Sequence, residues 1–584
     1  MNRRSFIAGA TSFPLATGAA SALDSFAPAK QEDCAAPIPT VTKEPMMDRY
    51  RLTMERVLHG TGPSYTADFL LEDIYGNPGR RFTEFSGDVS GRWIGALSAS
   101  AAAYGQGSPE LDEVVRRTIA LQHSEGYFGK SFHFDRPDDG DLALLWGNGR
   151  LLIGLMEYFQ LKKDPAVLAS AKKLGDFLLR LGPGFNSKRM ADEFSAAHFA
   201  SSYICWTQQT EGLAALYAAT GDNRYRDLCI AISERMQRRP ADHVHGYLCT
   251  LRGTVDLYNT TGDKTHLQRV EAAWQDIMQS GDVLVTGGVP EAWSPRNRRT
   301  EGCAECDWLR LNLSLWRATG DQKYLEMAEH ALFNEFSMNQ FASGDFGHAK
   351  LTDAGVPSIV FVRAWWCCTL HGLRTFSDVH HNVFRPGDGE VFYDLPIDGH
   401  IESAALSAWA TSRLALDGTI RIQIEHASAG QKLTLRKPSW AKDLRVSVNG
   451  RAVEGLTVFA PKAGETLTAK YTMALHRADL ATEGRKAMQR AFKYGPWLLG
   501  ASSSGNPGYF NELYANNTLL VETAKPVAGR AKSRFNVPIA ATVMTFLPAE
   551  FPSQPSRVVL CAVAEQTAGL PTQWQIMFAA EAEA

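Results

Sequence analysis

Residues 315–321 read Leu-Trp-Arg-Ala-Thr-Gly-Asp, and related phrases occur at 216–222 (Leu-Tyr-Ala-Ala-Thr-Gly-Asp) and at 257–263 (Leu-Tyr-Asn-Thr-Thr-Gly-Asp). Each copy follows one apolar helical pattern and precedes another. Glycine readily adopts the left-handed conformation that ends a helix, and aspartate accepts backbone N–H bonds at the start of the next. The phrase therefore predicts a tight joint between two helices, and its repetition predicts a series of helical hairpins.

A degenerate fourth copy at 158–164, Tyr-Phe-Gln-Leu-Lys-Lys-Asp, extends the series. Helical hairpins must stack on one another to bury their apolar faces, either as an open solenoid or as a closed ring. We expect the ring, an (α/α)-type toroid over residues 46–385, because the copies are irregularly spaced and long loops rich in Gly, Pro and aromatic residues separate them. Such loops gather at one mouth of a ring and line a pocket.

Beyond residue 385 the pattern changes to short alternating runs separated by turn residues. The run at 444–448 is followed by Asn449-Gly450, a strong hairpin signal. These runs predict a β-sandwich over 386–500 and a β-rich extension over 501–584. The chain is thus expected to be an α+β multidomain protein in which the helical toroid precedes the β-sandwich. No cluster of reactive side chains falls in the β part, so we expect it to act as support.

The first 22 residues have the features of an export signal. A basic start at 2–7, Asn-Arg-Arg-Ser-Phe-Ile, precedes a weakly hydrophobic stretch that ends in Ala20-Ser21-Ala22. This order is typical of a signal peptide, and paired arginines before Phe resemble a twin-arginine signal, which exports proteins already folded. We therefore expect a periplasmic or secreted protein in which residues 23–45, with four prolines, form an extended linker.

Composition excludes several classes of protein. A chain of 584 residues with 45% hydrophobic residues is long and apolar enough to bury several cores, which argues against disorder. Its net charge of −3 offers no positive field for nucleic acid. No run of about 18 apolar residues follows the signal, so no membrane span is expected. Nine cysteines, an odd number, cannot all pair within one chain. The sequence leaves the oligomeric state open.

Four of the nine cysteines lie in two short segments near the end of the helical region. Residues 301–307 read Glu-Gly-Cys-Ala-Glu-Cys-Asp, and residues 364–371 read Ala-Trp-Trp-Cys-Cys-Thr-Leu-His. Thiolates bind zinc tightly, and ligand pairs from two distant segments can complete a tetrahedral site. From the residues alone, the candidate zinc ligands are Cys303, Cys306, Cys367 and Cys368, with Glu301 as an oxygen ligand. Adjacent cysteines such as Cys367 and Cys368 are unusual in a structural zinc site. We therefore expect one of these two thiols to be available for chemistry.

Other interpretations fit the same cysteines. Cys303 and Cys306 also match a redox C-x-x-C motif, and any of the four could form disulfides in an oxidising compartment, be simply buried, or hold a closed structural zinc. The dispersed cysteines are expected to be small buried hydrophobic residues. They are Cys34, Cys205, Cys229, Cys249 and Cys561.

Four motifs follow one another in a fixed order along the helical region. They are Gly-Arg-Trp-Ile-Gly-Ala-Leu at 91–97, Thr-Gly-Gly-Val at 286–289 with Glu-Ala-Trp at 291–293, Glu-x-Cys-Ala at 301–304, and Cys-Cys at 367–368. In this order they resemble the β-L-arabinofuranosidase family of glycoside hydrolases, family 127, over most of the chain. The resemblance implies an (α/α)6 barrel followed by β-sandwich units. It also implies hydrolysis of glycosidic bonds with retention, by a zinc-bound cysteine nucleophile.

Residue roles follow from the matching positions. The resemblance implies that Zn²⁺ is bound by Glu301, Cys303, Cys367 and Cys368, that Cys367 is also the nucleophile, and that Glu291 is the general acid/base. The chain departs from the family pattern at Pro290, where glycine is usual, at Gln208-Gln209, where many members have Gly-His, and at 369–371, where Thr-Leu-His replaces Pro-Pro-Asn.

Two further pairs are candidate substrate contacts. His243 and His245 open a helix, and Trp365 and Trp366 stand beside the cysteine pair. Imidazoles can hydrogen-bond sugar hydroxyls and aromatic faces can stack on sugar C–H surfaces, although packing roles fit these residues equally well. The expected partner is an oligosaccharide or another glycoside.

Two different functions remain as alternatives. A lyase or an unsaturated uronyl hydrolase on the same toroid would keep its activity when the cysteines are replaced. A periplasmic glycan-binding protein with a structural zinc would lose metal and stability together on Cys367→Ser.

Overall fold

The computed structural model describes most of the chain from residue 45 onward. The described ranges are 45–80, 82–194, 202–236, 243–293, 299–351, 357–480, 489–502, 518–520, 526–527, 541–547, 556–565 and 574–579. The predicted signal peptide, the predicted linker up to residue 44 and Cys34 lie outside these ranges. Within them, no helix has both the length and the apolar character needed to cross a bilayer.

Helices occupy the first part of the described chain. They are α1 (Pro45–His59), α2 (Ala67–Tyr75), α3 (Asp88–Tyr104), α4 (Leu111–Ala120), α5 (Asp139–Lys162), α6 (Pro165–Phe185), α7 (Lys188–Phe194), α8 (Ile204–Thr207), α9 (Thr210–Thr220), α10 (Asn223–Glu234), α11 (Val244–Thr261), α12 (Lys264–Gln279), α13 (Gly302–Thr319), α14 (Gln322–Ala331), α15 (Ser337–Asn339), α16 (Trp366–His380) and α17 (Leu414–Asp417). A π-helical turn, Leu332–Phe336, joins α14 to α15.

Six of the helices form a closed inner ring. In chain order α3, α5, α9, α11, α13 and α16 each pack against the next, and α16 returns to α3. Helices α4, α6, α10, α12 and α14 pair with the inner helix that precedes them, and α1 packs on α16. The arrangement is an (α/α)6 barrel, which confirms the toroid expected from the repeats.

The Thr-Gly-Asp phrases form the joints between inner and outer helices, as predicted. Helix α9 ends at Thr220, Gly221 has a φ of 68°, and the Asp222 side chain accepts the Arg224 N–H at the start of α10. The same device follows α11 and α13. In the degenerate copy Lys163 takes the left-handed conformation, with a φ of 56°.

Glycines let the inner helices α3 and α5 approach closely. A Cβ on Gly91 would lie 2.5 Å from the Leu151 backbone, and a Cβ on Gly154 would lie 2.2 Å from the Gly91 carbonyl oxygen. Contacts this short are not tolerated, so neither position accepts a side chain without a shift of the helices. The glycine that opens the 91–97 motif thus has a packing role.

The described strands form four sheets. They are β1 (Arg299–Glu301), β2 (Gly347–Leu351), β3 (Pro357–Ala364), β4 (Phe384–Pro386), β5 (Glu390–Tyr393), β6 (Gly399–Glu402), β7 (Leu406–Arg413), β8 (Thr419–Ala427), β9 (Lys432–Leu435), β10 (Ala441–Val448), β11 (Arg451–Ala452), β12 (Thr457–Phe459), β13 (Thr466–Met473), β14 (Leu475–Leu480), β15 (Gln489–Tyr494), β16 (Trp497–Ser502), β17 (Thr518–Leu520), β18 (Pro526–Val527), β19 (Ala541–Leu547), β20 (Ser556–Ala562), β21 (Trp574–Gln575) and β22 (Phe578–Ala579).

The strand order separates a small sheet at the barrel from the β part of the chain. The antiparallel sheet β1-β2-β3 lies between barrel helices in the sequence, and the next two sheets run in the orders β11-β10-β13-β8-β7-β6 and β12-β9-β5-β4. The inward-facing residues of these two larger sheets alternate with exposed ones and join one hydrophobic core, as a sandwich requires.

A last sheet packs on the barrel. Its order is β14-β15-β22-β17-β19-β20-β16-β21, with β18 on β19, and β15 also pairs with β16. Asn334, in the π-helical turn, donates to the Pro496 carbonyl at 3.0 Å and accepts from the Leu498 N–H at 2.6 Å. This sheet is therefore fixed to the π-helical turn that follows α14.

Candidate active site

The predicted ligands lie where two neighbouring inner helices begin. Glu301 is the residue before α13, Cys303 lies in its first turn, and Cys367 and Cys368 lie in the first turn of α16. A Cβ on Gly302 would stand 2.9 Å from the Cys368 Cβ. The missing side chain at 302 thus allows the two helix starts to touch, and their N-terminal dipoles point at the same cluster.

The four donor groups fit a tetrahedral zinc ion. One ligand atom from each of Glu301, Cys303, Cys367 and Cys368 lies within 4.8 Å of all the others. The Cys303 and Cys368 sulfurs are 3.6 Å apart and those of Cys367 and Cys368 are 4.0 Å apart. Sulfurs around zinc, at bonds of about 2.3 Å, stand roughly 3.8 Å apart. Three sulfurs and one carboxylate oxygen also match the ligand preference of this metal.

Cys306 is separate from this group. Its thiol is buried beside Thr375, on the same helix as Cys303 but outside the four-residue set. Of the five candidates inferred from residues alone, the structure groups Glu301, Cys303, Cys367 and Cys368 and leaves Cys306 out. The disulfide interpretation is wrong for the described thiols, because Cys303, Cys306, Cys367 and Cys368 are all free.

Cys367 differs from the other thiols of the group in access and in charge. Cys303 and Cys368 are fully buried, whereas Cys367 is partly exposed. Hydrogen bonds from the other two thiols hold the pKa of Cys367 well below its usual range, and Arg92 and His348 add to this effect. Burial raises the pKa of Cys303 and of Cys368. Negative charge therefore collects on the sulfur that can be reached from outside.

Glu291 is fixed between the start of α11 and strand β1. Its N–H donates to the Arg299 carbonyl at 2.7 Å, and its carbonyl accepts the Val244 N–H at 2.9 Å. The buried carboxylate is bonded by Arg299 Nε, and His348 Nε2 lies 3.6 Å from Oε1. Burial alone would raise the pKa of Glu291, but the contacts with His348 and Arg299 outweigh it and lower the pKa to about 2.

Glu301 joins the sulfur cluster to Glu291. Its Oε2 is 2.8 Å from His243 Nε2. Oxygens of Glu291 and Glu301 and a ring nitrogen of His243 lie within 4.8 Å of one another. Since Glu301 also belongs to the sulfur group, the structure brings the predicted nucleophile and the predicted acid/base into one site.

The four predicted substrate contacts surround this site in different ways. Trp365 and Trp366 are partly exposed beside Cys367. His243 faces Glu301, as described. His245 is fully buried, with Nε2 at 2.8 Å from an Arg92 nitrogen and Nδ1 at 2.5 Å from Asp307 Oδ2. Both of its ring nitrogens are engaged, so in this structure His245 orients Arg92.

A buried polar network behind the cluster is missing from the sequence prediction. Asp307 accepts from His371 Nε2 at 2.7 Å, from Arg252 at 3.0 Å and from Cys249 Sγ at 2.8 Å. Arg92, bonded to His245, stands 3.8 Å from the Cys303 sulfur. Cys249 is buried as expected, but its thiol takes part in this network instead of packing only against apolar groups. The sequence did contain a signal for this inner face. Residues 249 and 252 follow residue 245 by four and seven positions, and residues 307 and 310 follow residue 303 in the same way, which places each set on one side of its helix.

The His245–Cys249–Asp307 group is a hydrogen-bonded network rather than a second metal site. Its donor atoms lie within 4.8 Å of one another. However, the contacts of 2.5 and 2.8 Å to Asp307 are hydrogen-bond distances, shorter than the roughly 3.3 Å between ligand atoms around a tetrahedral metal. Arg150 also lies 3.0 Å from the Cys249 sulfur, which disfavours a cation there.

Comparisons with known proteins identify the family and the fold. The family model described as "Beta-L-arabinofuranosidase, GH127 catalytic domain" matches residues 46–381. A GH127 β-L-arabinofuranosidase from Geobacillus stearothermophilus T6 has a similar structure, with a TM-score of 0.67 and 16% identity over 92% of this chain and 98% of that chain. A second solved GH127 β-arabinofuranosidase gives a TM-score of 0.67 and 16% identity over 92% and 95% of the two chains. At this identity the structural likeness establishes the fold. No curated protein sequence matches the chain.

Proposed function

Because the chain belongs to the GH127 β-L-arabinofuranosidase family and is thus a glycoside hydrolase, we propose that it is a zinc-dependent retaining enzyme that cleaves β-L-arabinofuranosyl linkages in oligosaccharides or other glycosides. One observation carries the proposal beyond the family. Glu301 belongs both to the four-residue sulfur group and to the carboxylate pair with Glu291, so a metal ligand set, an accessible thiol and a second carboxyl share one site.

Glu301, Cys303, Cys367 and Cys368 would hold the zinc. Most glycosidases use two carboxyl groups, one as proton donor and one as nucleophile or base. Here the thiol of Cys367 would replace one of them. Coordination to zinc would keep the Cys367 sulfur deprotonated and make it a better leaving group in the second step.

Two displacements account for retention. The Cys367 sulfur attacks the anomeric carbon, a C–S bond forms as the C–O bond breaks, and Glu291 donates its proton to the departing oxygen. A water molecule then gives a proton to Glu291 and displaces the sulfur, which restores both groups. The buried backbone of Glu291, held at both ends by hydrogen bonds, keeps its carboxyl in place through both steps.

The nucleophile is tested by covalent labelling. Incubation of the whole protein with a β-L-arabinofuranosyl bromoacetamide, followed by peptide mass spectrometry, should place the label on Cys367. Cys306→Ser is the matched control, because this buried thiol lies one turn from Cys303 but outside the ligand group. The control should retain labelling and zinc. A label on another residue, or no label on zinc-loaded protein, contradicts the mechanism.

The acid/base and the metal are tested together. Elemental analysis of the untreated protein should find about one zinc per chain. Glu291→Gln should retain that zinc and the unfolding temperature while turnover of an aryl β-L-arabinofuranoside falls by about 10²-fold or more. Equal loss of metal and of turnover in Glu291→Gln would assign a structural role to this glutamate instead.

Export is part of the same proposal. The basic start with Arg3-Arg4, the apolar stretch and the Ala-Ser-Ala end at residue 22 support a twin-arginine signal. Replacing both arginines by lysine should trap the full chain in the cytoplasm of a bacterial host, as read by cell fractionation. Unchanged export of this variant would contradict the assignment.

A further inference from the structure

Phe82 has a backbone conformation that its side chain disfavours. Its φ is 63°, in the left-handed region, where bulky residues are outliers. It lies in the loop between α2 and α3, and the residue remains 39% exposed. Burial of the ring therefore does not explain the conformation. Such outliers gather at functional sites, where the surrounding structure maintains them.

The Phe82 ring begins a row of rings that leads to Glu291. Its centroid is 5.4 Å from that of Trp365, at an interplanar angle of 66°, and Trp365 meets His348 edge-on at 5.8 Å and 90°. His348 Nε2 is 3.6 Å from Glu291 Oε1. The row thus runs from the predicted proton donor outward to an exposed ring.

The loop that carries Phe82 is fastened to the same part of the site. The Arg80 guanidinium lies 4.1 Å from the Phe69 ring centroid and 5.3 Å from that of Trp366. Phe69 and Trp366 meet edge-on at 5.3 Å. Arg80 and Phe82 therefore attach the loop to the two tryptophans that precede Cys367, which sets the place of the exposed ring.

We propose that Phe82 and Trp365 form the subsite that receives the leaving group, and that this subsite favours leaving groups with an apolar face. The inference rests on the proposed function, because the leaving oxygen must meet the proton of Glu291 and the rest of the leaving group must extend outward from it. Aromatic rings at that position offer contact to a sugar C–H face or to an aromatic ring. Phe82 is thereby a specificity-determining residue.

The test separates the leaving group from the sugar. Two uncleaved thioglycosides, 4-nitrophenyl and methyl 1-thio-β-L-arabinofuranoside, are titrated into zinc-loaded protein by calorimetry. Phe82→Ala should weaken binding of the nitrophenyl compound roughly tenfold and change the methyl compound by less than about twofold. Phe82→Tyr should restore the nitrophenyl affinity. Phe459→Ala, which removes a remote phenylalanine that is 70% exposed, should change neither.

A second variant separates a binding role from a structural one. Phe82→Gly removes the ring as Phe82→Ala does but relieves the positive φ, so it should lose nitrophenyl affinity equally while unfolding at a higher temperature than Phe82→Ala. A lower unfolding temperature with unchanged selectivity would overturn the inference.

Failure of this inference is distinguishable from failure of the proposed function. If the unsubstituted protein binds neither thioglycoside, the proposed sugar specificity is contradicted. If it binds both and Phe82→Ala weakens both equally, the function stands and the leaving-group subsite is wrong.

Discussion

At the residue scale, the neighbours of Glu291 set its charge. The Arg299 side chain that bonds it is 42% exposed, so this residue can be replaced without opening a cavity in the core. With a pKa lowered to about 2, Glu291 is ionised in the structure at neutral pH. In the proposed mechanism this form suits the base of the second step, whereas the first step needs the protonated form.

Arg299→Gln should move the pH dependence of the enzyme. Loss of the cation favours the neutral carboxyl, so the pKa of Glu291 rises, and the pH above which kcat/KM declines should increase by about one unit. The measurement is the pH profile of kcat/KM on an aryl β-L-arabinofuranoside. Arg116→Gln, at an exposed ion pair with Glu113, is the control and should leave the profile unchanged. An unmoved profile in Arg299→Gln would show that this arginine does not control the acid/base.

The sequence predicts some residues of the site better than others. Glu301, Cys303, Cys367 and Cys368 stand in two short motifs whose residue types are typical zinc ligands, so their grouping could be inferred, although the residues alone also placed Cys306 in the group. The Asp307 network could not, because Cys249, Asp307 and His371 come from three helices, and their contacts arise only when α11, α13 and α16 share one axis. The sequence did not single out Phe82, because no sequence motif there predicts a positive φ.

At the element scale, the start of two helices makes the site. Thiols in the first turns of α13 and α16 meet the positive ends of both helix dipoles, which favours thiolates. Helix ends could be placed from the repeated phrase, yet the contact between these two starts depends on the absent side chain at Gly302. A spacing argument does not reveal such a contact.

Gly302→Ala should therefore disturb the proposed zinc ligands. The new Cβ would meet the Cys368 Cβ at 2.9 Å, so the helix starts must separate, at a cost of about 1–3 kcal/mol in the free energy of unfolding and with lower zinc affinity. Competition with a chelator and thermal unfolding measure the two effects.

The control for that substitution is Gly184→Ala in α6. Nothing lies within 4 Å of a Cβ at this position, so the change should stabilise the protein by up to about 1 kcal/mol and leave zinc affinity alone. If both alanine variants behave alike, close approach at Gly302 is not what shapes the site.

At the scale of the whole molecule, charged side chains fill the axis of the barrel. Glu211 meets Arg252 at 2.9 Å, Arg374 at 3.1 Å and Arg310 at 3.7 Å. Beyond this layer a cavity of about 430 Å³ opens at the end of the barrel away from the cysteines, lined by residues such as Gln160, Asn259 and Asn382. The ion pairs thus separate the cysteine end of the barrel from the cavity at its other end. The repeats predicted a ring, but its polar axis was not foreseen, because buried charges interrupt the apolar pattern from which helices are inferred.

Glu211→Gln should destabilise the barrel in a pH-dependent way. Burial would raise the pKa of Glu211, but the three arginines lower it to about 2. A carboxyl with a lowered pKa stabilises the folded state above its unfolded pKa, near 4.5, and loses that contribution as pH falls toward 2. The variant should therefore cost about 3 kcal/mol or more at pH 7 and progressively less below pH 4.5, measured by urea unfolding.

Glu113→Gln provides the comparison. Glu113 pairs with Arg116 on the surface, where both side chains are at least half exposed, so its loss should cost less than about 1 kcal/mol. A pH-independent cost in Glu211→Gln would mean that the axial charges do not stabilise the ring.

The closed ring also fixes the order of events during synthesis. Helix α3 ends at Tyr104 and its neighbour α16 begins only at Trp366, so the ring stays open until nearly the whole helical region has left the ribosome. Cys367 and Cys368 lie on this last helix, so Cys303 is a thiol without its neighbouring cysteines until α16 has been made. Assembly of the cysteine cluster is therefore a late event of folding, and it requires that Cys303 stay reduced until α16 has been made.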